Sequence, residues 1–429
     1  MITKIKIRKF ATVLLSFGLL IISSLSAKAA PGDLDTTFGV GGKVTTETGF
    51  SDSAKGIALQ GDGRIVVALN KGIARYSPDG ALEQTFGYTI ESYTDVAIQP
   101  DGKIVTVGNY FSPFGCGAYR VYVRRFNSDG TADTSFGVSN GFTSYLPSGC
   151  GDGAFAHSIT VHWGKIIVAG RIASDNGNDF LALRLNSDGT FDTGFSQDGV
   201  GVYSIGSDDT AFDVAVHPRS GRIALVGYTT QSSQKKAAMV MLRSDGLYDF
   251  NFGNFGKVIT DFDSSNQVRF LSVAFQYDGR IVAGGFSDNN HYNIPFFAFL
   301  VRYNANGTFD TTFSNDGKIF IDYAMGAIPI EDVAEQPDGK IVAAAYGRVP
   351  NGGTIDFIVY RFNSDGSTDS TFGYPDPAFG GIAGKQIADF DGGTDHCPAM
   401  KIQPDGKIIL VGSTNNGAES DIALARFLP

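Results

Sequence analysis

The stretch QPDGKIV occupies residues 99–105, returns unchanged at 336–342, and reappears as QPDGKII at 403–409. Pro presets φ for the second position of a tight turn, Asp bonds the backbone two residues on, and Gly accepts positive φ. Degraded copies fill the intervals: QGDGRI (60–65), HWGKI (162–166), HPRSGRI (217–223) and QYDGRI (276–281). The turn glycines, Gly63, Gly102, Gly164, Gly221, Gly279, Gly339 and Gly406, stand 39, 62, 57, 58, 60 and 67 residues apart. One chemical site does not need seven regularly spaced copies, so the Asp and Lys of the motif read as turn residues. His162 and His217, standing where other copies have Gln, read the same way.

A second motif keeps step with the first: ARYSPDGALEQTFG, RRFNSDGTADTSFG, LRLNSDGTFDTGFS, MLRSDGLYDFNFG, VRYNANGTFDTTFS and YRFNSDGSTDSTFG. Each unit therefore holds a small apolar strand, the PDG turn, a Val- and Ile-rich strand, and a variable loop. A third strand, a second DG turn and an aromatic strand with TF complete it. Apolar runs of about five to eight residues between turn signals are strands, and four in an antiparallel meander make a propeller blade. The segment PGDLDTTFGVGGKVTT is a fourth strand without the other three, and DIALARFLP is a third strand without its fourth. Joined, they complete one blade and remove the two sheet edges an open array would leave. The fold expected is all-β: a seven-bladed β-propeller of four-stranded antiparallel blades over residues 30–429, the last built from 393–428 plus 33–46.

Residues 1–29 read as a cleaved signal peptide. MITKIKIRK is basic, FATVLLSFGLLIISSLS is apolar but short and Ser-rich, and Ala27-Lys28-Ala29 is a small-x-small cleavage site. Export to the periplasm, cell surface or medium follows as an expectation. No later segment is apolar enough to span a bilayer as a helix. Removing Lys4, Lys6, Arg8, Lys9 and Lys28 takes five positive charges from the formal net charge of −10, leaving −15. That field repels phosphate backbones, which argues against nucleic acid as a partner. The chain reads as a monomer.

The units resemble the delta-60 repeat family, whose repeats run roughly LDTTFGxGGKV, AIALQPDGKIVVAG and DFALARYNPDG. LDTTFG at 34–39, QPDGKIV at 99–105 and DIALARF at 421–427 carry the likeness, and the strand order also resembles the NHL-type blade. The resemblance implies a propeller-like exported or surface protein, with no shared catalytic residues to carry over. Three units depart from the pattern: the first has a short second loop, Asn70-Lys71-Gly72; the third has Trp163 for the turn Asp; the fourth inserts a residue at Pro218-Arg219-Ser220-Gly221.

Aligning the units exposes where they differ. Four residues before each turn Gln or His stand Gly56, Asp95, Ser158, Asp213, Ser272, Asp332 and Ala399. These begin the innermost strands and belong at the mouth of the central channel. The candidate ligand-binding residues are Asp95, Asp213, Asp332, Ser158 and Ser272. A ring of carboxylates suits a divalent cation, Ca²⁺ in particular, with Asp95, Asp213 and Asp332 as ligands. It equally suits carboxylates that accept backbone N–H bonds and organise the strand starts.

Other constellations are weaker. GVSNG (137–141) matches a hydrolase nucleophile pattern but aligns with turns inside fourth strands, where no strand–turn–helix elbow forms. DFDGGTD (389–395) alternates Asp389, Asp391 and Asp395 but fails the EF-hand spacing, leaving a looser calcium loop or a plain acidic one. Cys116 and Cys150 lie in loops that emerge on one face, which allows a disulfide in an oxidising compartment. His396 and Cys397 are adjacent on an extended segment and point to opposite sides, against a catalytic dyad.

No catalytic constellation emerges, so the leading expectation is a non-catalytic binding or adhesion propeller. Its varied loops, such as NYFSPFGCGAY (109–119) and SDNNHYNIPFF (287–297), would recognise a carbohydrate or a protein. A second expectation is a metal-dependent hydrolase or lyase with its cation at the channel mouth. A third is a purely structural surface protein.

Overall fold

The computed structural model describes residues 29–429 apart from 49–50, 89–91, 114–116, 139, 148–152, 263–266, 289–296, 323–326, 349–352, 374–382, 416 and 418. The expected leader, but for its last residue, lies outside this range. So do Cys116 and Cys150, and with them the expected disulfide.

Each repeat unit forms one four-stranded antiparallel meander, and there are seven. The fourth blade, for example, runs Asp209–Val216, Ile223–Gln231, Gln234–Leu242 and Lys257–Thr260. Among the described residues there is no helix. The middle strands are buried on both faces, as in Ile65–Leu69, because each sheet is sandwiched between its neighbours. The core is accordingly a series of inter-blade layers. One of them packs Ile167 and Phe180 of the third blade on Ala211, Ile223 and Leu225 of the fourth. Runs of Val, Ile and Ala without polar alternation are what such strands need.

The ring closes as the sequence requires. Lys43–Thr46 adds as the fourth strand to Thr394–Ile402, Ile408–Asn415 and Ser420–Phe427, with Lys43 opposite Ala425 and Thr46 opposite Ile422.

The recurring turn is structural. Gly102 N–H donates to Gln99 O at 2.9 Å, Gln99 N–H to Lys103 O at 2.8 Å, and Lys103 N–H to Asp101 Oδ1 at 3.2 Å. In the third blade the turn is one residue shorter, and Trp163 (φ 49°) and Gly164 (φ 74°) make a two-residue hairpin with both φ positive. In the fourth, His217 Nδ1 accepts from Ser220 N–H at 3.1 Å, doing for the longer turn what Asp does elsewhere.

The two repeated motifs meet in a latch that ties each blade to the next. In the second blade Arg125 Nε bonds Asp133 Oδ2 at 2.8 Å, its guanidinium lies 4.6 Å from the Phe136 ring centroid, and its Nη1 donates to Ser187 O of the third blade. Lys103 of QPDGKIV adds a second cation, 2.7 Å from Asp133. The Arg–Asp–Phe grouping recurs at Arg184–Asp192–Phe195, Arg302–Asp310–Phe313, Arg361–Asp369–Phe372 and Arg426–Asp35–Phe38. Arg184, Arg302 and Arg426 also donate to a carbonyl of the next blade, at Ser244, Ser364 and Pro78 respectively. Burial alone would raise the Asp133 and Asp310 carboxyls, but the bonds from Lys103 or Arg280, the neighbouring hydroxyl and the latch arginine hold both well below the usual range.

Candidate functional site

Every innermost strand carries a β-bulge just before its channel residue, between Tyr93 and Asp95, Ala156 and Ser158, Ala211 and Asp213, and Phe270 and Ser272, for example. A bulge inserts an unpaired residue and re-aims side chains. Here Asp95, Ser158, Asp213, Ser272 and Asp332 line a channel of about 460 Å³, and the amide that follows each of them donates to a side-chain oxygen.

Those amides are where the carboxylates go. Asp95 Oδ1 accepts from Val96 N–H at 2.7 Å, and its Oδ2 reaches Ile159 N–H of the next blade at 2.9 Å. Asp213 repeats this with Val214 and Val273 (2.7 and 2.9 Å), and Asp332 with Val333 and Met400 (both 2.8 Å). Each Asp therefore staples its own blade to the following one. The serines fill the intervening positions: Ser272 donates to Asp332 Oδ1 at 3.0 Å and accepts from Val333 N–H at 3.2 Å. Ser158 Oγ lies 3.2 Å from Asp95 Oδ2 and 2.8 Å from Asp213 Oδ1, with one proton to give.

Seven is odd, so an alternation of Asp with small residues cannot close. The mismatch falls where Ala399 meets Gly56. Gly56 has no room for anything larger, since a Cβ there would lie 2.9 Å from Asp95 Cα.

Burial dominates the electrostatics. It pushes Asp95 up to about 7 against the Ile159 amide and the charge of Lys401, and Asp332 up to about 6 against Lys401. Asp213 is raised for the same reason. Glu331, on the channel beside Asp332, is pushed up to about 7 by burial and by that neighbour's charge. His157 is pushed down to about 4 by burial and Arg171. Lys401 stands two residues beyond Ala399, where other blades carry Ala or Thr, and with Lys55 it supplies the channel's positive charge.

The five sequence-predicted residues thus share one channel. Among the described residues, however, the acidic trio close enough to share an ion is not Asp95, Asp213 and Asp332 but Asp356, Asp389 and Asp395, with one oxygen of each within 4.8 Å of the others. Sequence reasoning singled out Asp389 and Asp395 but joined them to Asp391 instead of Asp356. His396 is exposed and Cys397 fully buried, on opposite sides of their strand.

On the variable-loop face, Phe111, Tyr119 and Phe155 form a row across the second and third blades. The ring centroids are 5.1 and 4.2 Å apart, and Arg171 lies 4.4 Å from the Phe155 ring centroid. Phe111 and Tyr119 are 48% and 37% exposed and sit at the ends of Ile104–Ser112 and Ala118–Phe126. A second group, Phe262, Phe297 and Phe320, lies at the same end of the fourth and fifth blades.

Five segments, 99–136, 164–195, 276–313, 336–372 and 403–429, match the family described as a domain of unknown function (DUF5122) beta-propeller. These segments are similar to the repeats of a β-propeller family. No curated protein matches the propeller. Among solved structures it is similar to a protein of unknown function from Dyadobacter fermentans, at 12% identity and a TM-score of 0.48, covering 90% of this chain and 97% of that one. It is also similar to a chain of a mitotic checkpoint complex (11%, TM-score 0.49, covering 97% and 99%) and to YCF48 bound to a D1 peptide (11%, TM-score 0.46, covering 94% and 100%).

Proposed function

We propose that this propeller is an exported, monomeric, non-catalytic binding module that recognises a carbohydrate or a protein on its variable-loop face. The observation that carries the reading is the row Phe111–Tyr119–Phe155 with Arg171 against it. Exposed aromatics on strand ends offer flat apolar area at little entropic cost, and they flank the loop at 109–119. The use of the channel carboxylates as inter-blade staples supports a scaffold role for the axis in preference to acid–base chemistry.

The test is a screen of the purified protein against glycan arrays and surface proteins, followed by the variant Phe111→Ala/Tyr119→Ala. Binding should weaken by about tenfold or more, as for interface aromatics generally, while Trp163→Ala on the opposite face leaves it unchanged. Equal binding by the double variant would sink the assignment of the face. N-terminal sequencing of the exported protein should find Ala30 first.

A further inference from the structure

We propose that Asp356, Asp389 and Asp395 form a calcium site at the junction of the sixth and seventh blades. Asp356 lies in the third strand of the sixth blade (Ile355–Phe362), and Asp389 directly follows that blade's fourth strand (Lys385–Ala388). Asp395 is in the first strand of the seventh (Thr394–Ile402). The three meet only because the ring sets these blades side by side.

Their separation fits the ion. Ca²⁺–oxygen bonds run roughly 2.3–2.6 Å, so two ligands on opposite sides of one ion stand up to about 5 Å apart. One oxygen of each carboxylate lies within 4.8 Å of the others. An all-carboxylate donor set is hard and suits Ca²⁺ over softer metals.

Proximity of acids is common and would not suffice. The second observation is Asp395 Oδ1, which is buried and receives no hydrogen bond, on a side chain that is 0% exposed. The carboxylate's bonds come from Phe390 N–H, to its other oxygen at 3.0 Å, and from the Thr414 hydroxyl on the neighbouring strand. The charges facing this carboxylate are those of Asp356 and Asp389. Asp356 is itself 3% exposed and accepts from Thr354 Oγ1 at 3.0 Å. Among the described residues no ion pair reaches any of the three. Lys43, the nearby ammonium, donates to the Asp389 backbone carbonyl at 2.7 Å and lies over the Phe390 ring. A buried carboxylate oxygen without a donor is costly unless a cation meets it.

The propeller contains its own control. At the junction of the third and fourth blades the corresponding residues are Asp179, Ser204 and Asp209, and Lys257 donates to Ser204 O as Lys43 does to Asp389 O. There the third carboxylate is absent, and both oxygens of Asp209 accept from the amides of Ile205 and Gly206. Among the described residues, three acidic side chains bring one oxygen each within 4.8 Å of one another at the sixth-to-seventh junction and at no other.

The test uses the purified full chain stripped with EDTA, titrated with CaCl₂ by calorimetry and followed by thermal unfolding. One Ca²⁺ per chain should bind and raise Tm, because the ion binds only the folded ring. Asp389→Ser, which copies the third-to-fourth junction at an exposed position, should weaken binding by about tenfold or more while leaving Tm in EDTA at the wild-type value. Mg²⁺ should not substitute. No heat and no Tm rise at millimolar Ca²⁺ would overturn the proposal, as would full affinity in Asp389→Ser.

Discussion

Arg222 reaches Asp249 at 2.7 Å from the start of the second strand, with no arginine on the third strand to share the acid. In the fifth blade the corresponding acid, Asp310, is held by Arg302 on the third strand. The fourth blade has Met241 at that position, and Arg222, from the PDG-type turn, takes over the whole task. It pairs with the acid, lies 5.8 Å from the Phe252 ring centroid, and donates to Ala305 O of the next blade at 3.1 Å. A lost cation on one strand has been replaced by one on its neighbour.

Arg222→Met should therefore cost on the order of 2 kcal/mol, since a largely buried Asp249 loses its partner. Arg280→Met should cost under about 1 kcal/mol, because Arg302 remains on Asp310. Met241→Arg should restore stability to Arg222→Met. Urea midpoints measure all three, and equal costs for the two arginines would contradict the takeover.

The mismatch in the channel ring gives a steric prediction. Gly56→Ala should destabilise by about 2 kcal/mol or more, because its Cβ meets the backbone of Asp95. Gly61→Ala, with open space around it, should be close to neutral. A tolerant Gly56 would mean that the first two blades do not approach this closely.

The channel acids predict a pH dependence. The folded chain keeps the Glu331 and Asp95 protons up to about 7, whereas an unfolded chain releases them near 4. In that window the folded state binds more protons, so stability falls as pH rises. His157 works in the other direction: its folded value of about 4 lies below the free value, so its contribution is lost as pH falls below about 6.5. Glu331→Gln should gain on wild type by about 2 kcal/mol between pH 5 and pH 7. Denaturant curves at the two pH values test this, and a constant difference would show that Glu331 is not held protonated.

Cys397 should be inert. Burial and the charges of Glu331 and Asp332 push its thiol well above the ordinary value, and thiolate is the reactive form. Iodoacetamide at pH 8 should leave the Cys397 peptide unmodified in native protein and label it fully in urea, as read by mass spectrometry.

The blade count and the closure were legible because turn chemistry is local. Gly102 needs positive φ whatever surrounds it, so its sequence neighbours announce the turn. Asp95, Asp213 and Asp332 were found by aligning on that turn, but their staple role was not, because a bulge adds a residue without changing residue type. The latch left a signal that went unread. Arg125 and Asp133, Arg184 and Asp192, Arg302 and Asp310, and Arg361 and Asp369 are all eight residues apart. The Asp356–Asp389–Asp395 cluster has no such local signature, since Asp356 reaches it from a different strand.

The pairing of Lys43 with Ala425 also sets an order of events as the chain is made. The strand that completes the seventh blade is among the first synthesised, and its partner is among the last. Until Ser420–Phe427 emerges, Lys43–Thr46 has no place in any sheet, and Asp35 has no Arg426 to hold. The early blades must wait with one flank uncovered for most of translation, when unpaired strand edges are most exposed to association. A chain built this way depends on whatever shields its nascent form until the ring snaps shut.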